Sequence, residues 1–313
     1  MTVAAGPGAV HVRVPATSAN LGPGFDSLGL ALQLYDDVLV QAGDPAHGDA
    51  VEVTVEGEGA ATVPTDASHL VVRAVHRALD ELGAPHPPLL LRSTNRIPHG
   101  RGLGSSAAAV VAGLLAGHAL AGDEAPDRHA LLRLATEMEG HPDNAAACLW
   151  GGLTVAYAGP DGPHAASVGT RAALQVTVVV PPYSLATETA RGLLPGSVPH
   201  TDAAFNAGRA ALLALGLTTP LTEPAAVLLA ATEDRLHQRY RGSAMPETLE
   251  LVDRLRSAGR AATVSGAGPS VLVLDDVSSG SPAPTVTPPA GWRVLRLDVD
   301  TSGATVRAGG STR

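Results

Sequence analysis

Arg96-Ile-Pro-His-Gly-Arg-Gly-Leu-Gly-Ser-Ser-Ala-Ala-Ala-Val110 decides the reading of this chain. Gly100, Gly102 and Gly104 alternate and run straight into an apolar stretch with the composition of a buried helix. A helix start carries unpaired N–H groups and the positive end of the backbone dipole, and glycines let an anion approach the chain closely. The pattern is neither Gly-x-x-x-x-Gly-Lys-[Ser/Thr] nor Gly-x-Gly-x-x-Gly. On chemistry alone, a phosphate loop and a flexible loop before an ordinary helix capped by Ser105 or Ser106 stand level. Gly104-Ser-Ser106-Ala-Ala108 also approximates a nucleophile elbow, which would make Ser106 the nucleophile of a serine hydrolase. That elbow needs a buried strand directly before the serine, and Pro98-His-Gly-Arg-Gly is a poor one.

The composition limits what such a loop can be. None of the 313 residues is lysine, so all 21 basic residues are arginine. Schiff-base chemistry, the P-loop lysine and the strand lysine of protein kinases are therefore excluded. An anion must be held by arginine, backbone amides, helix ends or a metal. The formal net charge of −9 and the absence of a basic run argue against nucleic acid, and 3% aromatic residues leave few stacking platforms. The single Cys148 allows neither an internal disulfide nor a zinc site of spaced cysteines. Met1 to Val10 has no basic or apolar leader pattern. Ser105 to Gly122, broken by glycines and His118, reads as a buried helix and not a membrane span. The expectation is a soluble, cytoplasmic protein without membrane or nucleic-acid partners.

Hydrophobic residues make up 45% of the chain, enough for a sizeable core, and the length suits one large domain or two. Alternation predicts strands at His11–Val14 and Val51–Val55, with a short one at Leu89–Arg92. Asp66 or Ser68 is expected to cap a helix running through Leu70 to Leu82, with Gly83 past its end, and Asp127 to open one reaching about Glu139. After Trp150-Gly-Gly, a strand at Leu153–Tyr157 precedes a Gly/Pro-rich connection over Ala158–Ala166. A strand at Leu174–Val180 then leads to helices around 201–215, 223–239 and 246–258. Strands at Ala261–Val264, Val271–Leu274 and Trp292–Val299 follow, with a Ser/Pro-rich loop at Ser278–Gly291 and a frayed last dozen residues. The whole reads as two α+β halves, 1–165 and 166–313.

Three more segments carry polar groups that a core does not need. Pro15-Ala-Thr-Ser-Ala-Asn20-Leu-Gly-Pro-Gly-Phe-Asp26 is either a loop with a cap or a strand exit that projects Asn20 and Asp26 into a cleft. Glu137-Met-Glu139-Gly-His141-Pro-Asp143-Asn144 places two carboxylates at a helix C-terminus, where cations are preferred, and a bound Mg²⁺ would relieve that. At least one of the two faces solvent in any case. Val264-Ser-Gly266-Ala-Gly268-Pro-Ser-Val271 alone is a tight turn between strands.

Together the four segments resemble the GHMP kinases and, among them, the homoserine kinase branch. Three motifs fall in family order at 15–32, 96–110 and 263–271, so the resemblance spans nearly the whole chain. Thr17-Ser-Ala-Asn-Leu-Gly-Pro-Gly-Phe-Asp26 is similar to that branch's first motif; mevalonate kinase would put a lysine there, galactokinase an arginine and Glu-His. The resemblance implies a ribosomal-S5-domain-2-like N-terminal domain (1–165) and a ferredoxin-like C-terminal domain (166–313), with the site between them. It implies transfer of the γ-phosphate of ATP to L-homoserine in threonine biosynthesis, with Mg²⁺ and within an assembly that can be a homodimer. Pro98, His99, Gly100, Arg101, Gly102, Leu103, Gly104, Ser105 and Ser106, with Gly266 and Gly268, would hold the ATP phosphates. Glu139, with Glu137 as fallback, and Ser105 would hold the metal. Asn20, Asp26, His141, Asn144, Arg191 and Arg241 would line the acceptor site, with Asn144, Glu139 and Asn20 the residues expected at the reacting atoms. Arg239 stands where relatives commonly have proline. The branch has no dedicated general base; Asp143 is the carboxylate in place if one acts. The arginines suit an acceptor carboxylate, Asp26 its ammonium, and Asn20 and Asn144 its hydroxyl. The other readings are a family member acting on another small alcohol, a non-catalytic relative, and the Ser106 hydrolase.

Overall fold

The computed structural model describes residues 8–44, 50–278, 280 and 282–308. Numbered in chain order, β1 (Ala9–Ala19), β2 (Leu28–Ala42), β3 (Val51–Gly57), β4 (Leu89–Asn95), β5 (Leu153–Gly159) and β6 (Gly162–Val168) build the first sheet. β1, β2, β4 and β3 lie side by side in that order; β5 pairs with the start of β2, and β6 with β5. The β3–β4 pair is parallel, and its crossover is α1 (Leu70–Glu81).

Helices α2 (Ser105–Leu120), α3 (Arg128–Glu139) and α4 (Asp143–Trp150) pack with α1 against this sheet. α2 is buried on nearly every side, which is why it is apolar all round instead of striped. Its glycines let α1 come close: a Cβ at Gly113 would stand 2.4 Å from the Val71 carbonyl oxygen. With few aromatics to fill space, Val, Leu and Ala supply the core through such close backbone approach.

β7 (Leu174–Val180), β8 (Ala261–Val264), β9 (Val271–Asp276) and β10 (Arg293–Leu297) form a second, antiparallel sheet in the order β10-β7-β9-β8. That is the 4-1-3-2 order of a ferredoxin-like sheet. Helices α5 (Thr187–Gly192), α6 (His200–Thr218), α7 (Pro224–Ala231) and α8 (Pro246–Ser257) lie between β7 and β8 in the chain. Finally β11 (Thr305–Ala308) returns to the first sheet, pairing with β1 so that Ala308 lies opposite Val10. Among the described residues no helix is long and apolar enough to cross a membrane.

Several elements differ from expectation. The helix foreseen over 223–239 stops at Ala231, because the Asp234 carboxylate accepts from the N–H groups of Leu236, His237 and Gln238 and bends the chain. The Ala158–Ala166 connection is mostly a hairpin into β6. His69 caps α1 through Nδ1, while Asp66 accepts from Ser68; Gly104, not Ser105 or Ser106, caps α2. The foreseen boundary at 165/166 cuts through β6, and the first sheet takes back residues 305–308. Part of the end expected to fray is therefore strand; residues 309–313 lie outside the described residues, as does most of the Met1–Val10 stretch.

Candidate active site

The 96–110 loop lies where the two sheets meet. Gly102 and Gly104 both have positive φ, +70° and +68°, conformations that L side chains rarely adopt. Space forbids a side chain as well: a Cβ on Gly104 would fall 1.9 Å from Thr17 Oγ1, and one on Gly102 2.1 Å from the Ser265 carbonyl oxygen. The Ser265 hydroxyl bridges Ser18 Oγ (2.8 Å) and the Gly102 carbonyl (2.6 Å), drawing the three motifs to one point. Behind the loop, α2 starts without a side-chain cap, so its first-turn amides have no partner within the helix and face a cleft of about 100 Å³. Gly100, Gly102, Gly104, Ser105, Ser106 and Gly266 line this cleft.

Other members of the expected phosphate set serve the scaffold. Leu103 is fully buried, and its carbonyl accepts from Thr17 N at 3.1 Å. Arg101 donates to the carbonyls of His99, Pro181 and Pro182, pinning the loop to the exit of β7. Gly268 packs against Met245 and Val264. Pro98 and His99 precede the cleft, and His99 borders a neighbouring cavity of about 200 Å³ that shares Ser105 and Ser106 with it. That cavity's walls are largely apolar, with Val14, Val38, Val63, Pro64, Leu70 and Val71 among them. No sequence motif marked it, since its walls come from five separate elements, β1, β2, α1, β4 and α2, and the loops beside them. Asp36, also in its wall, accepts from Arg96 N (2.5 Å) and Ile97 N (2.9 Å) and so anchors the start of the loop. Burial pushes its pKa up to about 6.

The two glutamates at the end of α3 have separate fates. Glu137 bonds Arg77 at 2.8 Å and Arg133 at 2.7 Å in an exposed charge network that Glu81 completes. Glu139 lines the cleft and accepts from Ser106 Oγ at 2.5 Å, and burial raises its pKa above the ordinary carboxylate value. Among the described residues no three His, Cys, Asp or Glu side chains gather for a metal. One half-buried carboxylate beside hydroxyls at an uncapped helix start still fits Mg²⁺, which keeps water and usually takes one or two carboxylates plus substrate phosphates. Zinc-like caging is not what this donor set offers.

Asp143 is buried at the start of α4 and its Oδ1 collects His141 Nδ1 (2.9 Å), Asn144 N (2.8 Å) and Asn144 Nδ2 (3.3 Å). Burial opposes protonation of His141, but the bond to Asp143 and its charge outweigh that and raise the His141 pKa. Asn144 Oδ1 accepts from Thr17 Oγ1 at 2.8 Å.

Across the cleft, Asn20, Leu21 and Asp26 all hold positive φ, a concentration of backbone strain in one short loop. Asn20 spends both ends of its amide on the protein: Nδ2 donates to the Gly266 carbonyl at 2.9 Å, and Oδ1 accepts from Asp26 N at 2.9 Å. It is thus a positioning residue in this arrangement. Arg191, from α5, grips Asp26 in a two-pronged ion pair at 2.5 and 3.0 Å. Arg241 is 1% exposed, and among the described residues it has no carboxylate within ion-pair distance. It donates to His237 Nδ1 at 3.0 Å and to the carbonyls of Ala190 and Gly266. Burial, with Arg191 nearby, lowers its pKa to about 10, so it stays charged at neutral pH. His237 Nε2 donates to the Gly22 carbonyl at 2.7 Å, which fixes the neutral tautomer, and burial lowers its pKa. Arg239, by contrast, points outward to Asp253.

Ser106 does not sit on an elbow: a loop, not a strand, precedes it, and its bond runs to Glu139 with no histidine partner among the described residues. The hydrolase reading fails on that geometry.

Comparison with known proteins places this architecture among relatives. Residues 69–152 match the family described as GHMP kinases N terminal domain, and residues 220–280 match GHMP kinases C terminal. The chain is 51% identical over 300 residues to a homoserine kinase of Streptomyces avermitilis, covering 95% of each chain. It is 52% identical over 302 residues to one of Streptomyces coelicolor, covering 95% of this chain and 94% of that one. The crystal structure of a homoserine kinase from Cytophaga hutchinsonii superposes with a TM-score of 0.80 at 26% identity, over 98% of this chain and 100% of that one. A mevalonate kinase structure, 11% identical with a TM-score of 0.60, shares the fold.

Proposed function

The chain belongs to the GHMP kinase family, and from that premise we propose that it transfers the γ-phosphate of ATP to the side-chain hydroxyl of L-homoserine, in the service of threonine biosynthesis. One observation carries the acceptor assignment: Arg191 and Arg241 line the same cleft as the first turn of α2, and Arg191 there holds Asp26 in a two-pronged ion pair. A sugar or a neutral alcohol has no use for them.

The ATP phosphates would lie over Gly100–Ser106, with the first-turn amides of α2 donating to them. The adenine would take the apolar cavity behind Ser105 and Ser106, walled by Val38, Leu70 and Val71. Glu139 and Ser105 would hold Mg²⁺, which when bound neutralises charge on the phosphates. Arg241, buried and without a carboxylate of its own, is the first anchor for the acceptor carboxylate, and Arg191 the second. Asp26 faces the ammonium. Asn144, set by Thr17 and Asp143, would align the hydroxyl with the phosphorus. His141, whose protonated form the bond to Asp143 favours, would add positive charge where the transferred group carries negative charge.

No side chain in the cleft is disposed as a general base. Asp143 Oδ1 already accepts from three donors, and Glu139 accepts from Ser106. Phosphoryl transfer needs mainly alignment and charge stabilisation, and the hydroxyl proton leaves with the phosphoryl oxygens or water.

The test is ADP release with Mg·ATP, comparing L-homoserine with D-homoserine, L-serine, mevalonate and galactose. Turnover selective for L-homoserine is expected. Turnover of another alcohol alone would keep the phosphate site and overturn the acceptor site.

A further inference from the structure

We infer that the Asp26–Arg191 ion pair is an internal occupant of the acceptor site, which an incoming zwitterion must exchange for two pairs of its own. This inference rests on the acceptor assignment above and adds how the site selects. The observation is the two-pronged contact itself: both Asp26 oxygens are taken by Arg191, at 2.5 and 3.0 Å, with each side chain about one-third exposed and Arg191 in the wall of the cleft. The groups expected to bind opposite ends of the acceptor therefore satisfy each other before it arrives. Neither is slack. Asp26 is fixed in a positive-φ conformation whose N–H is tied to Asn20, and Phe25 lies 5.5 Å beneath the Arg191 guanidinium and 5.6 Å from that of Arg241.

Counting pairs shows the consequence. A zwitterion breaks one ion pair and makes two, its carboxylate on Arg191 beside Arg241 and its ammonium on Asp26. A molecule with only one charge breaks one pair and makes one, leaving Arg191 or Asp26 without a partner at a narrow cleft. The pair thus rejects half-matching molecules more strongly than two independent subsites would, because an unpaired charge is costlier than an unmade contact.

The prediction has an unusual sign. Asp26→Asn removes the competitor for Arg191, so 4-hydroxybutanoate, which is homoserine without its ammonium, should bind more tightly than to the wild type. Arg191→Gln frees Asp26, so 3-aminopropan-1-ol, which lacks the carboxylate, should bind more tightly. L-homoserine should bind both variants more weakly. An increase of roughly threefold to tenfold for the matched analogue is the scale of releasing a partly exposed ion pair. The readout is inhibition of, or turnover in, ADP release at fixed Mg·ATP, with a thermal melt to show that each variant is folded. If each residue merely contacts its own end of the acceptor, neither analogue gains in either variant, and that result overturns the inference while leaving L-homoserine turnover by the wild type untouched.

The wild type gives a second test that needs no substitution. Formate and 3-aminopropan-1-ol together supply the charges of homoserine on two molecules. Formate should lower the apparent Kd of 3-aminopropan-1-ol, since it occupies the arginine that 3-aminopropan-1-ol displaces. Independent or competitive binding of the two would refute the exchange.

Discussion

Glu137 and Glu139 are two residues apart, and the structure gives them unrelated work. Glu137 lies in a surface network with Arg77 and Arg133, whereas Glu139 is half-buried in the wall of the cleft against Ser106. Glu139→Gln should lower kcat by about a hundredfold or more, on the scale of an electrostatic contact worth several kcal/mol, and shift the Mg²⁺ requirement. Glu137→Gln should leave both unchanged within about twofold, as expected of an exposed ion pair. Steady-state kinetics over a Mg²⁺ titration decides it. Arg239 and Arg241 form a second contrast. Arg241→Ala should raise the KM for the amino-acid acceptor by about tenfold to hundredfold, the worth of a charge-assisted contact, with Arg239→Ala near wild type. The residue types were legible in the sequence; which member of each pair turned inward was not. A helix drawn through 223–239 misplaces that segment, and only the turn folded around Asp234 sends Arg241 in and Arg239 out.

Among the elements, α2 was the most readable, because a long Ala-rich apolar run, even with glycines and His118 in it, reads as a buried helix. The cap was misread for a steric reason: Thr17 Oγ1 occupies the place where a side chain at position 104 would stand, so the turn needs glycine and both serines fall inside the helix. The anchor of the loop's other end was invisible, since Asp36 is some sixty residues upstream of the two amides it holds. That anchor carries a pH signature. Burial raises the Asp36 pKa from 3.8 to about 6, so the native state takes up its proton more readily than the unfolded chain does. Its contribution to stability is fully present below pH 3.8 and is lost as pH rises through 6. Asp36→Asn carries no such titration. The stability of the variant relative to wild type should therefore rise by about 2–3 kcal/mol between pH 4 and pH 7, measured by urea denaturation without nucleotide. A constant difference across that range would refute the assignment.

At the scale of the molecule, mixed α+β character was legible from the pattern along the chain, whereas the ferredoxin-like C-terminal sheet came only with the family resemblance. The first sheet's own completion was not legible, because β11 is only four residues long and joins β1 across almost the whole chain. The segment leading into it clasps α4, the helix that begins with Asp143 and Asn144. Gly152 N donates to the Asp300 carbonyl at 2.6 Å, Ala304 N donates to that of Cys148 at 2.7 Å, and the Asp300 carboxylate accepts from Ser302 N and Gly303 N. Deleting residues 300–313 should lower the melting temperature by several degrees and reduce kcat with it, although none of the described residues among them lines the cleft. Loss of stability with kcat intact would show that α4 holds its place unaided.

The return of β11 also sets an order in time. During synthesis β1 leaves the ribosome early and waits while nearly 300 residues follow, its outer edge uncovered until positions 305–308 emerge. Half-made chains therefore carry the 96–110 loop on an unfinished sheet whose edge is open to pairing with other chains.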